Sequence, residues 1–329
     1  MTNFTYRVLT VAVVIGAIVL VIYVMQWILL LFAGVLLAVV FHGASEWITR
    51  HTRLSIRWAT ALVLIGAGVL IGGIVWQFGS EIAAQSDQLL MRLSQAVQSF
   101  QHKAQDYQAL ERFVSRSNMN LEQPAKTLIS DVVRVVAAVI LVLFVGAYLS
   151  VRPELYLRGS LRFFPDRTRR QVRDVLYETG DALRWWILGQ MISMAVVGII
   201  TTIGLLVVGV PMAVPLALIA ALLTFVPYIG AIISAIPALM IGFSVSTHMA
   251  LYVVLVFLIA HAVEGYLLAP MVQHRFVYLP PALILANQFL MELLVGVVGV
   301  ALATPLLVVE MVLIERLYFH EEWDKDQAA

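Results

Sequence analysis

The sequence predicts an all-α, polytopic membrane protein with about eight membrane segments, two of them helical hairpins broken by proline and glycine. Three observations predict it. The 329 residues are 61% hydrophobic and only 12% charged, with mean hydropathy +0.93, against about 45–50% and 25% in soluble domains. Long apolar runs fall at residues 8–25, 27–45, 58–78, 128–150, 186–208 and 249–270, as spanning helices require. Two further apolar stretches, 216–243 and 280–313, are interrupted. Their first pieces, 216–226 and 281–290, hold 11 and 10 residues, half of the roughly 20 needed to cross a bilayer core.

Composition also removes several function classes. The net charge of +1 says nothing about nucleic acid, and no basic, aromatic-interleaved cluster suggests it. The absence of cysteine excludes disulfides, zinc-thiolate centres and thiol nucleophiles. No P-loop or Gly-x-Gly-x-x-Gly occurs, and Gly43-Ala44-Ser45-Glu46 lacks the second glycine of a nucleophile elbow. Neither an enzyme, a cofactor nor a metal is implied.

The first domain is residues 1–78, three spanning helices. Arg7 precedes the run 8–25, which continues into Tyr23-Val24-Met25-Gln26-Trp27 with no small-residue cleavage site. The reading is a retained first span rather than a cleaved signal. Only Gln26 and Trp27 separate it from the next run, so a tight hairpin is expected there. Trp27, Trp58, Trp76, Trp185 and Trp186 sit at run ends, where amphipathic rings favour the headgroup level. Residues 79–127 form a second, extracytoplasmic segment. Leu90, Leu93, Val97, Phe100, Ala104, Tyr107 and Val114 recur at steps of three and four, the stripe of an amphipathic helix. It either lies on its own protein and the headgroups or contacts another subunit. The fourth span is 128–150, with Arg134 placed to snorkel.

Residues 151–184 are an arginine-rich linker with Arg152, Arg158, Arg162, Arg167, Arg169, Arg170, Arg173 and Arg184. Phe163-Phe164-Pro165 precedes an amphipathic helix at 167–184. Together with Arg50, Arg53 and Arg57 in the loop 46–57, these arginines place both loops in the cytoplasm by the positive-inside rule. The N- and C-termini then lie in the cytoplasm and 79–127 outside. The arginines of 151–184 either stay solvated and set orientation or contact anionic lipid. Residues 185–318 form a transport bundle with both broken hairpins, and 319–329 a cytoplasmic tail.

Polar groups inside apolar runs are the candidate functional residues, because an ionisable side chain there is costly. Glu264 is the clearest, with His261 on the same helix face three residues earlier. The pair suits carrying a proton, binding a cation or hydrogen-bonding a solute; it suits equally a structural cap. Two such groups alone are not a metal site. Asn287, Gln288 and Glu292 sit at the expected break of the second stretch, and Glu292 either binds or caps the following helix. Gln190 and Ser193 either line a cavity or join helices by hydrogen bonds. Glu310 and Glu315 read as interfacial. Tyr228 lies in the first break, between Pro227 and Gly230. Pro227, Gly230, Pro237, Pro270, Gly296, Gly299 and Pro305 are the expected hinge and break positions. They suggest that 186–313 moves against a more rigid part, 8–150.

Three motifs carry a resemblance. The segment Phe225-Val226-Pro227-Tyr228-Ile229-Gly230, continued to Ile236-Pro237-Ala238, comes first. Glu264-Gly265-Tyr266-Leu267-Leu268-Ala269-Pro270 matches a Glu-x-x-x-Leu-x-Pro pattern. Met291-Glu292-Leu293-Leu294-Val295-Gly296-Val297-Val298-Gly299, running to Ala303-Thr304-Pro305, is similar to a Gly-Glu-x-x-Gly-x-x-Gly pattern with a later proline. In these the chain resembles the autoinducer-2 exporter (AI-2E) family of bacterial inner-membrane proteins. It departs at Gly265-Tyr266, where asparagines are common, at Pro280-Pro281, where a His-Pro is common, and at Asn287-Gln288, which replaces small residues. The resemblance implies a homo-oligomer, a pentamer, whose protomers each export a small solute without ATP. The family name refers to a furanosyl signalling molecule used in quorum sensing; some members resemble sodium/proton antiporters.

The function expected is export of a small polar solute through a site where the two broken stretches meet, with Glu264 as binding or coupling carboxylate. The alternatives are a cation/proton antiporter of the same fold and a non-transporting membrane scaffold. The partners implied are membrane lipid, a small-molecule solute and further copies of the chain.

Overall fold

The structure is a computed structural model and describes residues 2–69, 72, 73, 76, 124–268 and 279–316. Every element assigned among them is helical. In chain order they are α1 (Thr2–His51), α2 (Ile56–Val69), α3 (Pro124–Val151), α4 (Pro153–Leu161), α5 (Asp166–Val208), α6 (Ala213–Leu223), α7 (Ile229–Val245), α8 (Thr247–Val263), α9 (Pro281–Val295) and α10 (Val297–Ile314). A π-helical turn, Glu264–Leu268, extends α8. The amphipathic stripe expected between 79 and 127 lies outside the described residues, apart from the start of α3.

Among the described residues four helices are long and apolar enough to cross a membrane, or five if the bent α3–α4 pair is counted as one span. The expected eight is not reached among the described residues. It counted α1 twice, and it included α2 and the α6–α7 pair, whose described helices are shorter than a span. The hairpin expected at Gln26–Trp27 does not form; α1 runs unbroken for 50 residues, about 75 Å at 1.5 Å per residue. The physical reason is local. Tyr23 to Leu29 contains neither glycine nor proline, and Met, Gln and Leu favour helix, so nothing interrupts the hydrogen-bond ladder. The amphipathic helix expected at 167–184 likewise merges with the next span into α5, 43 residues long.

The chain divides into two compact units. One comprises residues 1–60, 137–184 and 277–329. In it α1 and α3 approach closely: a Cβ on Gly34 would fall 2.5 Å from Val145, and one on Gly146 2.9 Å from Leu37. Small residues permit such backbone approach where lipid offers no hydrophobic drive. Helices α9 and α10 pack on each other and on α1. The other unit comprises residues 61–136 and 185–276. Its core joins Leu205 of α5, Leu216 and Ala220 of α6, Ala238 and Ile241 of α7, and Val253, Val256 and Phe257 of α8. Ser246 starts α8 by accepting a hydrogen bond from the Met249 amide at 3.0 Å, a side-chain cap for an otherwise orphaned donor.

Candidate polar sites within the helices

The end of α8 carries the most distinctive chemistry. His261 and Glu264 face the same side of an apolar helix, and His261 Nδ1 lies 2.8 Å from Glu264 Oε2. Both side chains are only about one-fifth exposed, at 20% and 22%. With the carboxylate ionised, Nδ1–H donates to Glu264 and fixes the ring. Nε2 then points away as an acceptor, or as a second donor if the ring is protonated. Nε2 is buried and meets no partner among the described residues. Phe257, one turn earlier, lies 6.2 Å from the imidazole centroid. The helix turns π-helical at Glu264, a wider turn that is rare and concentrated at functional positions. Gly265 tolerates the altered backbone, and Pro270 beyond it has no N–H to continue the ladder. Pro270 itself lies outside the described residues.

The first broken stretch is a turn between α6 and α7. Thr224 ends α6, and Ile229 N donates to Pro227 O at 2.8 Å across Tyr228. Tyr228 has φ 64 and ψ −60, a three-residue turn of the rare, strained hand. Gly230 N donates to Val226 O at 2.9 Å, and a Cβ there would collide with the Leu223 carbonyl oxygen. Pro237 lies inside α7, which continues through it. Gln190 reaches this turn from α5: its buried amide Nε2 donates to the Thr224 carbonyl, and Trp186 meets Phe225 edge-on at 5.9 Å. Gln190 thus satisfies the end of α6. Ser193, one turn further along α5, is buried too.

The second break lies elsewhere than its polar residues suggest. Helix α9 runs unbroken through Asn287–Glu292, and the chain reverses at Gly296, with φ 75 and ψ −153. That backbone region is open essentially to glycine alone. Pro305 is carried inside α10. Asn287 Nδ2 donates to Ala303 O at 2.8 Å, and Gln288 is fully buried beside Thr304, Nε2 to Oγ1 3.5 Å. Both side chains join the two arms of the hairpin. Gly299 packs against Met291, where a Cβ would meet the carbonyl oxygen. Glu292 does not cap α10, whose N-cap is Gly296 without a side-chain hydrogen bond. It sits exposed in the last turn of α9, where the helix dipole disfavours an anion. Packing gives no account of a carboxylate there.

One ion pair escaped sequence reading. Arg184 of α5 donates to Glu46 Oε2 at 3.0 Å and to the Gly43 carbonyl at 3.1 Å on α1. His42 Nε2 lies 3.5 Å from the other carboxylate oxygen. A Cβ on Gly43 would come within 2.6 Å of Arg184 Nε, so the glycine makes room for the guanidinium. The partners are 138 residues apart, and no local pattern announces such a pair.

Comparison with known proteins accords with this all-helical, apolar architecture. The family described as "AI-2E family transporter" matches residues 8–319. Three curated relatives carry the description "Putative transport protein". YueF of Bacillus subtilis (strain 168) is 25% identical over 198 residues, 60% of this chain and 54% of its own length. YrrI of the same organism is 30% identical over 162 residues, 49% and 46%. A Thermotoga maritima protein is 26% identical over 209 residues, 60% and 63%. The matched stretch spans about half of the Bacillus relatives and under two thirds of the Thermotoga one. With the family matched over nearly the whole sequence, the chain belongs to the AI-2E transporter family.

Proposed function

We propose that the chain is a membrane transporter that exports a small polar solute, an autoinducer-2-like signalling molecule or a related metabolite, by ATP-independent alternating access. The observation that carries this reading is the His261–Glu264 pair, 2.8 Å apart at a π-helical turn of an apolar helix. A partly buried acid–imidazole pair in such a helix has no packing advantage over the aliphatic residues around it. It serves to hold a polar solute or a coupling ion. The transporter family and the relatives' names support the transport part of this reading. Strained or glycine-only backbone at Tyr228 and Gly296 supplies positions where helices bend during the cycle.

The transporter sits in a bacterial inner membrane with both termini in the cytoplasm and works as a pentamer of separately transporting protomers. Since the chain has no cysteine, single cysteines at Gln105 and Arg167 test the topology, and labelling from the same side would refute it. A second reading, cation/proton antiport, draws on the same pair, because a carboxylate and an imidazole are both chemically able to take up a proton. Solute efflux from vesicles without ATP decides between them. Export predicts that an organic solute is moved and that Glu264→Gln slows it at least about tenfold. Antiport predicts sodium-dependent proton flux that no solute competes with.

A further inference from the structure

We infer that the elbow joining α3, α4 and α5, residues 152–170, is a docking surface for anionic phospholipid headgroups of the bilayer that holds the chain. The inference does not rest on the transport reading. Helix α3 is 28 residues long, about 42 Å, and at Arg152 the chain turns by 86° into α4. A helix turned so far from a spanning one runs along the membrane surface.

The faces of α4 suit that position. Leu157 and Leu161 turn inward, whereas Leu155 is 61% and Tyr156 41% exposed. Phe163, just beyond α4, is 89% exposed. Exposed apolar side chains on a short surface helix with flanking arginines are the pattern of a segment lying in the headgroup boundary.

The charges are sorted as well. Glu154 pairs with Arg158, Asp166 with Arg169, Asp174 with Arg173 and Glu178 with Arg316. Arg152, Arg162, Arg167 and Arg170 are exposed and have no ion pair among the described residues. The two acids of the elbow itself, Glu154 and Asp166, are thus already engaged, and four guanidinium groups remain for an external anion. Their frame is fixed. Arg169 donates to the Leu161 carbonyl at 3.1 Å and to the Phe164 carbonyl at 3.3 Å. The turn closes through Phe163 N to Ser160 O and Phe164 N to Leu161 O, at 3.2 and 3.3 Å. Arg162, Arg167 and Arg170 therefore stand on a braced turn beside Phe163. Planar forks of this kind match phosphate oxygens.

The test titrates phosphatidylglycerol into the full-length, detergent-solubilised protein and reads bound lipid by native mass spectrometry. Each arginine near an anionic surface contributes about a fivefold factor, so Arg162→Gln/Arg167→Gln/Arg170→Gln should weaken binding roughly a hundredfold. The matching triple lysine variant keeps the charge and should bind within a few-fold of wild type. Phe163→Ser should also weaken binding, and Arg53→Gln/Arg57→Gln should not. Wild-type binding should fall as salt rises. Unchanged binding by the triple glutamine variant, or an equal loss in Arg53→Gln/Arg57→Gln, would overturn the inference. Should the glutamine variant aggregate, salt-independent binding by wild type would overturn it in the same way.

Discussion

Gly230→Ala probes the first broken hairpin most sharply. In the structure a Cβ at this position would overlap the Leu223 carbonyl oxygen, with the carbonyl carbon 2.5 Å and the Thr224 amide nitrogen 3.3 Å away. The neighbours are backbone, not flexible side-chain ends, so α6 and α7 must move apart. Overpacking of this kind costs about 1–3 kcal/mol, and a backbone obstacle places it at the upper end. Alanine returns up to about 1 kcal/mol of helix propensity. The net loss is then about 2 kcal/mol. At about 2–4 °C per kcal/mol, the melting temperature falls by roughly 4–8 °C. Gly66→Ala on α2 is the control, because nothing lies within 4 Å of its added methyl, and it should melt at or above wild type. A thermal melt of detergent-purified protein, followed by tryptophan fluorescence, reads both. Equal melting temperatures for Gly230→Ala and wild type would refute the close packing of the turn.

Other outcomes follow from the same geometry. Gln190→Leu removes the donor to the buried Thr224 carbonyl and should cost about 1–3 kcal/mol, measured in the same melt. Gly296→Ala forces a Cβ into a backbone region of φ 75, ψ −153 and should cost about 1–3 kcal/mol. Leu293→Ala, at an exposed position in the preceding turn, should change little. A double-mutant cycle on Glu46→Ala and Arg184→Ala should return a coupling of about 0.2–1 kcal/mol that shrinks with added salt, since the side chains are 36% and 25% exposed.

Much of this architecture is legible in the sequence, and what is not has specific causes. Helices α3 and α8 follow their apolar runs, and so does the C-terminal half of α5. The α6–α7 turn falls at Pro227-Tyr228, because proline and a short apolar piece mark it directly. His261 and Glu264 meet because a three-residue helical spacing brings them together. The continuity of α1 is not legible, since an apolar run with polar Gln26 in it reads equally as two short helices or one long one. The second break is misplaced for a related reason. Asn287, Gln288 and Glu292 look like a turn, yet two of them are polar because they bind the facing arm, and the third remains inside a helix. The real reversal needs only one glycine. Pro237 and Pro305 warn of breaks that neighbouring helices prevent. The Arg184–Glu46 pair depends on tertiary folding alone.

The central claim is that the His261–Glu264 pair carries the polar step of transport. It is tested most directly by the pH profile of solute efflux from proteoliposomes, measured without ATP for wild type and Glu264→Gln. The variant keeps the shape of the side chain and a hydrogen-bonding amide beside His261 but can no longer ionise. The account predicts that wild-type efflux varies with pH, whereas Glu264→Gln loses at least about tenfold in rate, 1.4 kcal/mol, and its residual efflux no longer follows that profile. Efflux by Glu264→Gln at the wild-type rate, with the wild-type pH profile, would contradict it.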